Sequence, residues 1–159
     1  MMYLTAVSTQ ILLCRHADAV SEGPGLPDEH RYLSAEGRRA SRELGALLTD
    51  AGVRIAAAVT SPLVRAVQTG ELVLGSIGWG GPLEASHRLA PGAGARSAAD
   101  WLRQAAQAVA GRGALIAFGH EPAISALAEL LGGGEHVSAF RKTEACLIED
   151  GQIRWRLSP

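Results

Sequence analysis

Residues 11–20 read ILLCRHADAV. A short apolar run gives way abruptly to Arg15 and His16, and the chain then turns small and polar. Such a run reads as a buried β-strand, because strands covered on both faces carry near-continuous apolar sequence. A strand that stops on an arginine and a histidine holds two chemically capable side chains at the end of a rigid element. The same design recurs twice. IAAAVT (55–60) is followed by SPLVRAVQT (61–69), and ALIAFG (114–119) is followed by HEP (120–122).

Helical periodicity fills the intervals. Ser34 is a candidate N-cap for a helix to about Thr49, with Ala40, Leu44, Leu47 and Leu48 on one face and Gly52 as its stop. Ser61 and Pro62 read as N-cap and first residue of a helix to about Leu74. GSIGWGGP (75–82) is a loop and LEASHRL (83–89) a short strand. Ser97 caps a third helix, with Leu102, Ala106 and Val109 facing inward and Gly111 at its end. A fourth carries Ile124, Leu127, Ala128 and Leu131 at helical spacing, up to the glycines at 132–134. ACLIE and QIRWRL flank Asp150-Gly151, the signal of a type I′ hairpin. This alternation predicts an α/β fold: a three-layer sandwich with a mostly parallel central sheet, helices on both faces and a C-terminal antiparallel hairpin. With no repeat, linker or low-complexity block, residues 1–159 are expected to form one domain.

Composition narrows the function. Fifteen Lys and Arg stand against sixteen Asp and Glu, so no global field recruits nucleic acid or an anionic membrane, and neither is expected as a partner. Lys142 is the sole lysine; the remaining cations are guanidiniums, which suit bidentate recognition of oxyanions. Cys14 and Cys146 lack a CxxC spacing, which argues against structural zinc and for a reduced, cytoplasmic setting. The N-terminal MMYLTAVSTQ has neither a basic start nor a long apolar run, so no signal peptide or membrane span is expected.

In open α/β sheets, ligands bind beyond the carboxyl ends of the strands. A parallel arrangement therefore gathers Arg15, His16, Arg65 and His120 at one edge. Taken singly, each has a bland reading as a cap or surface group; three equivalent topological places occupied together do not. Two guanidiniums, helix N-terminal amides and histidines make a pocket for a phosphoryl dianion. A neutral imidazole there, its tautomer fixed by a hydrogen bond to one ring nitrogen, can attack phosphorus with the other. Nearby cations disfavour its protonation and stabilise charge on the equatorial oxygens. Other chemistries fail. There is no GxxxxGK loop and no GxSxG elbow, and in HEPAI Ile124 stands where a zincin needs its second histidine.

LLCRHADA, SPLVRAVQT and FGHEP resemble, in order, the three hallmark blocks of the histidine phosphatase superfamily, also called the phosphoglycerate-mutase-like fold. RYLSAEG (31–37) resembles the R-P-L-T-x-x-G block of the short SixA-type phosphohistidine phosphatases. The resemblance implies His16 as nucleophile, with Arg15, Arg65 and His120 binding and polarising the phosphoryl group and Arg31 approaching the pocket. It implies no metal and no cofactor. Three departures stand out. Ala17 replaces the usual glycine of R-H-G, tolerable unless the position needs positive φ. Tyr32 replaces a proline. Pro91, in HRLAPGAG, stands where mutases and many phosphomonoesterases of the superfamily carry a glutamate acid.

Proline cannot give a proton. Expelling an alkoxide needs one, and a positioned acid contributes about 10²–10⁴-fold. An imidazole leaves phosphorus far more easily. The expected activity is thus a metal-independent phosphatase acting through phosphohistidine on His16, its substrate a phosphorylated protein such as a phosphotransfer domain. Asp18, Glu121 and His87 are candidate substitute acids, with Asp18 also a candidate substrate contact. They keep open a small-molecule phosphomonoesterase acting on a phosphorylated metabolite. A non-catalytic phosphoanion-binding module is the remaining alternative.

Overall fold

A computed structural model describes residues 6–159, so the reading of the first five residues as free of a targeting signal lies outside the described residues. β1 (Gln10–Arg15), β2 (Ile55–Thr60) and β4 (Ala114–Gly119) are the apolar runs expected to be strands. With β3 (Glu84–Ala85), β5 (Ala145–Glu149) and β6 (Gln152–Leu157) they form one six-stranded sheet, ordered β3-β2-β4-β1-β5-β6. β3, β2, β4 and β1 run parallel; β5 and β6 are antiparallel additions. The β5–β6 turn has positive φ at both Asp150 (49°) and Gly151 (76°), as a type I′ turn requires.

Alternation along β1 divides the core. Leu12 and Cys14 face the layer of α1 (Ala35–Asp50) and α2 (Val64–Ile77), with Leu44, Leu48, Val73 and Phe118. Ile11 and Leu13 face α3 (Ala95–Ala108) and α4 (Ala123–Leu131), with Leu102, Leu127 and Phe140. This is the three-layer α/β sandwich expected. Trp79 and Trp155 pack against the first layer and Trp101 against the second.

Several boundaries differ from the sequence reading. α2 begins at Val64, with Leu63 as its uncapped N-cap; the Ser61 oxygen reaches the Leu63 amide, ahead of the helix, and no helical N–H. α3 begins at Ala95 after Gly94, which places Ser97 inside its first turn rather than at the cap. The predicted strand 83–89 shrinks to Glu84–Ala85, followed by a 3₁₀ turn at His87–Leu89. Leu47 is exposed; α1 instead buries Gly37, Ser41, Leu44, Gly45 and Leu48. The small residues allow close approach to α2, since a Cβ on Gly45 would lie 2.5 Å from Ser76 Cβ. No helix among the described residues is long and apolar enough to cross a membrane.

Candidate active site

The register of the sheet makes the site. Arg15 pairs with Gly119, and Thr60 with Phe118, so β1, β2 and β4 end level. The His16 amide donates to the Gly119 carbonyl at 3.0 Å, and the Ser61 amide to the Phe118 carbonyl at 2.9 Å. These bonds set His16, Ser61 and His120 side by side just past the sheet. The rings of His16 and His120 lie 5.1 Å apart, centroid to centroid. Arg65, in the first turn of α2, is buried with them, and Thr69 one turn later accepts from the Ala17 amide at 2.9 Å. Ala17 does not have positive φ, so alanine fits where the family pattern has glycine.

Each side chain is oriented by a partner. Nδ1–H of His16 donates to the Ala17 carbonyl at 2.8 Å, which fixes the tautomer and leaves Nε2 with its lone pair free. Burial, and then the charges of Arg65, Arg15 and Arg31, lower the His16 pKa to about 4, although the carbonyl contact favours the cation. Burial thus outweighs the cations expected to keep this imidazole neutral. Burial, His16 and Arg65 lower His120 to about 3. Nε2 of His120 lies 2.7 Å from Ser61 Oγ. That oxygen also accepts from the Leu63 amide at 3.3 Å; with the Ser61 hydrogen turned to the ring, the ring hydrogen sits on Nδ1. Arg15 donates through Nη1 to the Phe140 carbonyl at 2.7 Å.

Among the described residues, three buried side-chain nitrogens or oxygens have no hydrogen-bond partner in the protein: Arg15 Nε, Arg65 Nε and His120 Nδ1. All three belong to this cluster. Buried polar atoms left without a partner are costly, and an oxyanion held among them is one group that would offset that cost.

The remaining candidates lie at the rim or serve the scaffold. Arg31 donates through Nε to the Val20 carbonyl at 2.7 Å and pairs with Asp28 at 3.0 Å, so it reaches His16 through its charge. Asp18 is held by Lys142 at 2.7 Å and Ser34 at 2.6 Å, contacts that lower its pKa and make it a poor proton donor. Glu121 accepts from the Phe140 amide and the Ser125 hydroxyl, fastening α4 to the chain around Phe140. His87 is exposed beside Ser86, Arg88 and Ser97 in a groove of about 630 Å³. Pro91 is exposed too, and carries no acid.

Three functional contacts escaped the sequence reading. Ser61 was read as a helix cap but orients His120. Gln68 accepts from the Leu33 amide at 2.8 Å, tying the loop before α1 to α2. Asp28 bonds both Arg31 and Arg65, and as one acidic residue in a polar loop it gave no signal. Cys14 and Cys146 are buried, unpaired thiols, with burial raising the pKa of each. No group of three or more His, Cys, Asp or Glu among the described residues is placed to hold a metal ion.

Residues 11–91 match the histidine phosphatase superfamily (branch 1). No curated protein matches the chain. Among solved structures, the protein histidine phosphatase SixA in complex with tungstate is similar at 24% identity and a TM-score of 0.84, over 94% of this chain and 96% of that one. A structure named as the phosphohistidine phosphatase SixA from Agrobacterium tumefaciens follows at 22% identity and 0.80, over 95% and 98%. A mycobacterial glucosyl-3-phosphoglycerate phosphatase is similar at 15% identity and 0.67, over 89% and 90%. At these identities the likeness speaks for the fold.

Proposed function

The chain belongs to the histidine phosphatase superfamily, and within that family we propose that it hydrolyses phosphohistidine on a protein, without a metal, through a covalent intermediate on His16. The observation that carries the reading is the fixed tautomer of His16. Its Nδ1 hydrogen is given to Ala17, and Nε2 is unprotonated at neutral pH because the pKa is about 4. Around it stand the unpartnered Nε atoms of Arg15 and Arg65 and Nδ1 of His120.

The lone pair of His16 Nε2 attacks phosphorus, forming a P–N bond as the bond to the substrate imidazole breaks. That imidazole leaves with the electron pair. It is neutral as it departs when its other nitrogen already carries a proton. Arg15, Arg65 and His120 donate to the equatorial oxygens, where the transition state concentrates charge. Water then attacks the phosphohistidine, releasing phosphate and restoring the His16 lone pair. No step requires a proton from the position of Pro91, and Asp18 is ill suited to give one.

The groove beside His87 and Arg88 favours one other reading, hydrolysis of a small phosphate ester whose remainder lies there. A single comparison separates them. Wild type and His16→Ala are assayed, with and without EDTA, on a phosphohistidine-bearing protein and on a simple alkyl phosphomonoester. The expected result is EDTA-insensitive release from phosphohistidine alone, abolished in the variant. Comparable rates on the ester transfer the reading to a phosphomonoesterase. Substantial turnover by folded His16→Ala removes the nucleophile assignment, and loss of activity with EDTA removes the metal-free mechanism.

A further inference from the structure

We propose that Asp28 is a positioning residue of the phosphoryl site: it grips the outer end of Arg65 and so aims the guanidinium's inner edge at the bound oxyanion. The inference rests on the reading of Arg65 as a phosphoryl ligand.

Asp28 sits in the short 3₁₀ turn Asp28–His30, in the loop between β1 and α1, far from Arg65 in sequence. Its backbone carbonyl accepts from Arg65 Nη1 at 2.8 Å, and its Oδ2 accepts from Nη2 at 3.2 Å. Both terminal nitrogens of Arg65 are thus engaged by one residue. Its Nε is buried without a partner. A guanidinium is a rigid planar fork, so fixing one end fixes the direction of the others. Oδ1 of Asp28 accepts from Arg31 Nη1 at 3.0 Å, which holds another of the cations that lower the His16 pKa. One carboxylate therefore sets two of the three guanidiniums whose charge reaches His16.

A carboxylate near an anion site also repels the anion, and the two effects have opposite signs. The contacts decide between them. Asp28 lies on the far end of Arg65 from the unpartnered Nε, and its side chain is 46% exposed, so solvent screens its charge. The orienting contacts lie between partly buried groups and dominate.

The test is equilibrium binding of inorganic phosphate to wild type, Asp28→Asn, Asp28→Glu and Arg65→Ala, with thermal midpoints and with kcat and KM on the phosphohistidine protein. Asp28→Asn keeps size but cannot bridge two cations; in metal sites, the loss of a partner that orients a ligand costs about 10–100-fold, which sets the scale expected here. The expected result is phosphate binding weakened about tenfold in Asp28→Asn, with kcat falling alongside and the thermal midpoint within about 3 °C of wild type, because solvent screens the half-exposed carboxylate. Asp28→Glu should recover part of the binding. Unchanged or tighter phosphate binding in Asp28→Asn overturns the inference, the tighter result identifying the carboxylate as a competitor of the substrate. Wild type that binds phosphate no better than Arg65→Ala overturns the underlying site reading instead, and the inference with it.

Discussion

The environment that keeps His16 neutral should also make the fold acid-sensitive by a calculable amount. The ordinary histidine pKa of 6.5 falls to about 4 in the folded chain. Between these values the unfolded chain takes up a proton at this position and the folded chain does not. Stability therefore falls as pH drops through 6.5 towards 4, and this contribution levels off below the folded value. At about pH 4.5 most of the interval has been crossed, which amounts to roughly 2–3 kcal/mol from His16 alone. For a chain of this size that is ~5–10 °C in thermal midpoint. His16→Asn removes the titration and keeps a donor for the Ala17 carbonyl. Carboxylates titrate in both proteins and cancel in the comparison. The assay is thermal unfolding by circular dichroism near pH 7.5 and pH 4.5, at constant ionic strength and without phosphate. The wild-type midpoint should fall ~5–10 °C further than that of His16→Asn over this interval. Parallel losses in the two proteins would refute the reasoning, because His16 would then titrate alike folded and unfolded.

Two further outcomes follow from contacts around the site. Ser61→Ala leaves Nε2 of His120 without its hydroxyl and frees the ring to adopt the wrong tautomer; kcat should fall about tenfold with little change in KM, and an unchanged kcat would remove Ser61 from the machinery. Gly37→Ala would put a Cβ 2.0 Å from the Asp18 carbonyl oxygen. Overpacking against a fixed backbone should cost about 3 kcal/mol, a fall of ~6–12 °C in thermal midpoint, and a variant as stable as wild type would show that the α1 start can move.

The parts of the site that were legible in the sequence are those that local pattern encodes. β1, β2 and β4 are covered on both faces, so their apolar runs are unbroken and their ends, with Arg15, His16 and His120, are easily placed. Small residues misled the reading of α1: Gly37, Ser41 and Gly45 do not look like a buried face, yet close packing against the Asp18 backbone and α2 demands them. Ser61 misled for a different reason. Ser-Pro is a sound helix-start signal, but here the Ser61 oxygen accepts only from the Leu63 amide, ahead of the first helical residue, and its other contact is His120; the helix begins at Val64. Asp28 was illegible because its partners are chosen by topology. Nothing in PDEHRYL says that this loop folds over α2 onto Arg65.

The proposed specificity is read more from what the site omits than from what it holds. In the proposed mechanism Arg15, Arg65 and His120 bring donors to the oxygens that any phosphoryl transfer shares, and so lower the barrier for every substrate that fits. Discrimination then falls to the leaving group. With Asp18 held ionised by Lys142, Glu121 committed to Phe140 and Ser125, and Pro91 exposed and inert, no well-placed acid meets a departing alkoxide. His87 stands in the solvent-facing groove, where a proton donor is already outnumbered by water. Such a site favours substrates whose leaving atom is a weak base, a condition that the imidazole nitrogen of phosphohistidine meets and the alkoxide of a serine or threonine ester does not. By the sequence resemblance, a carboxyl group placed at Pro91 would stand where mutases and many phosphomonoesterases of the superfamily carry their acid. On that reading the difference between the two chemistries reduces to whether one loop supplies a proton.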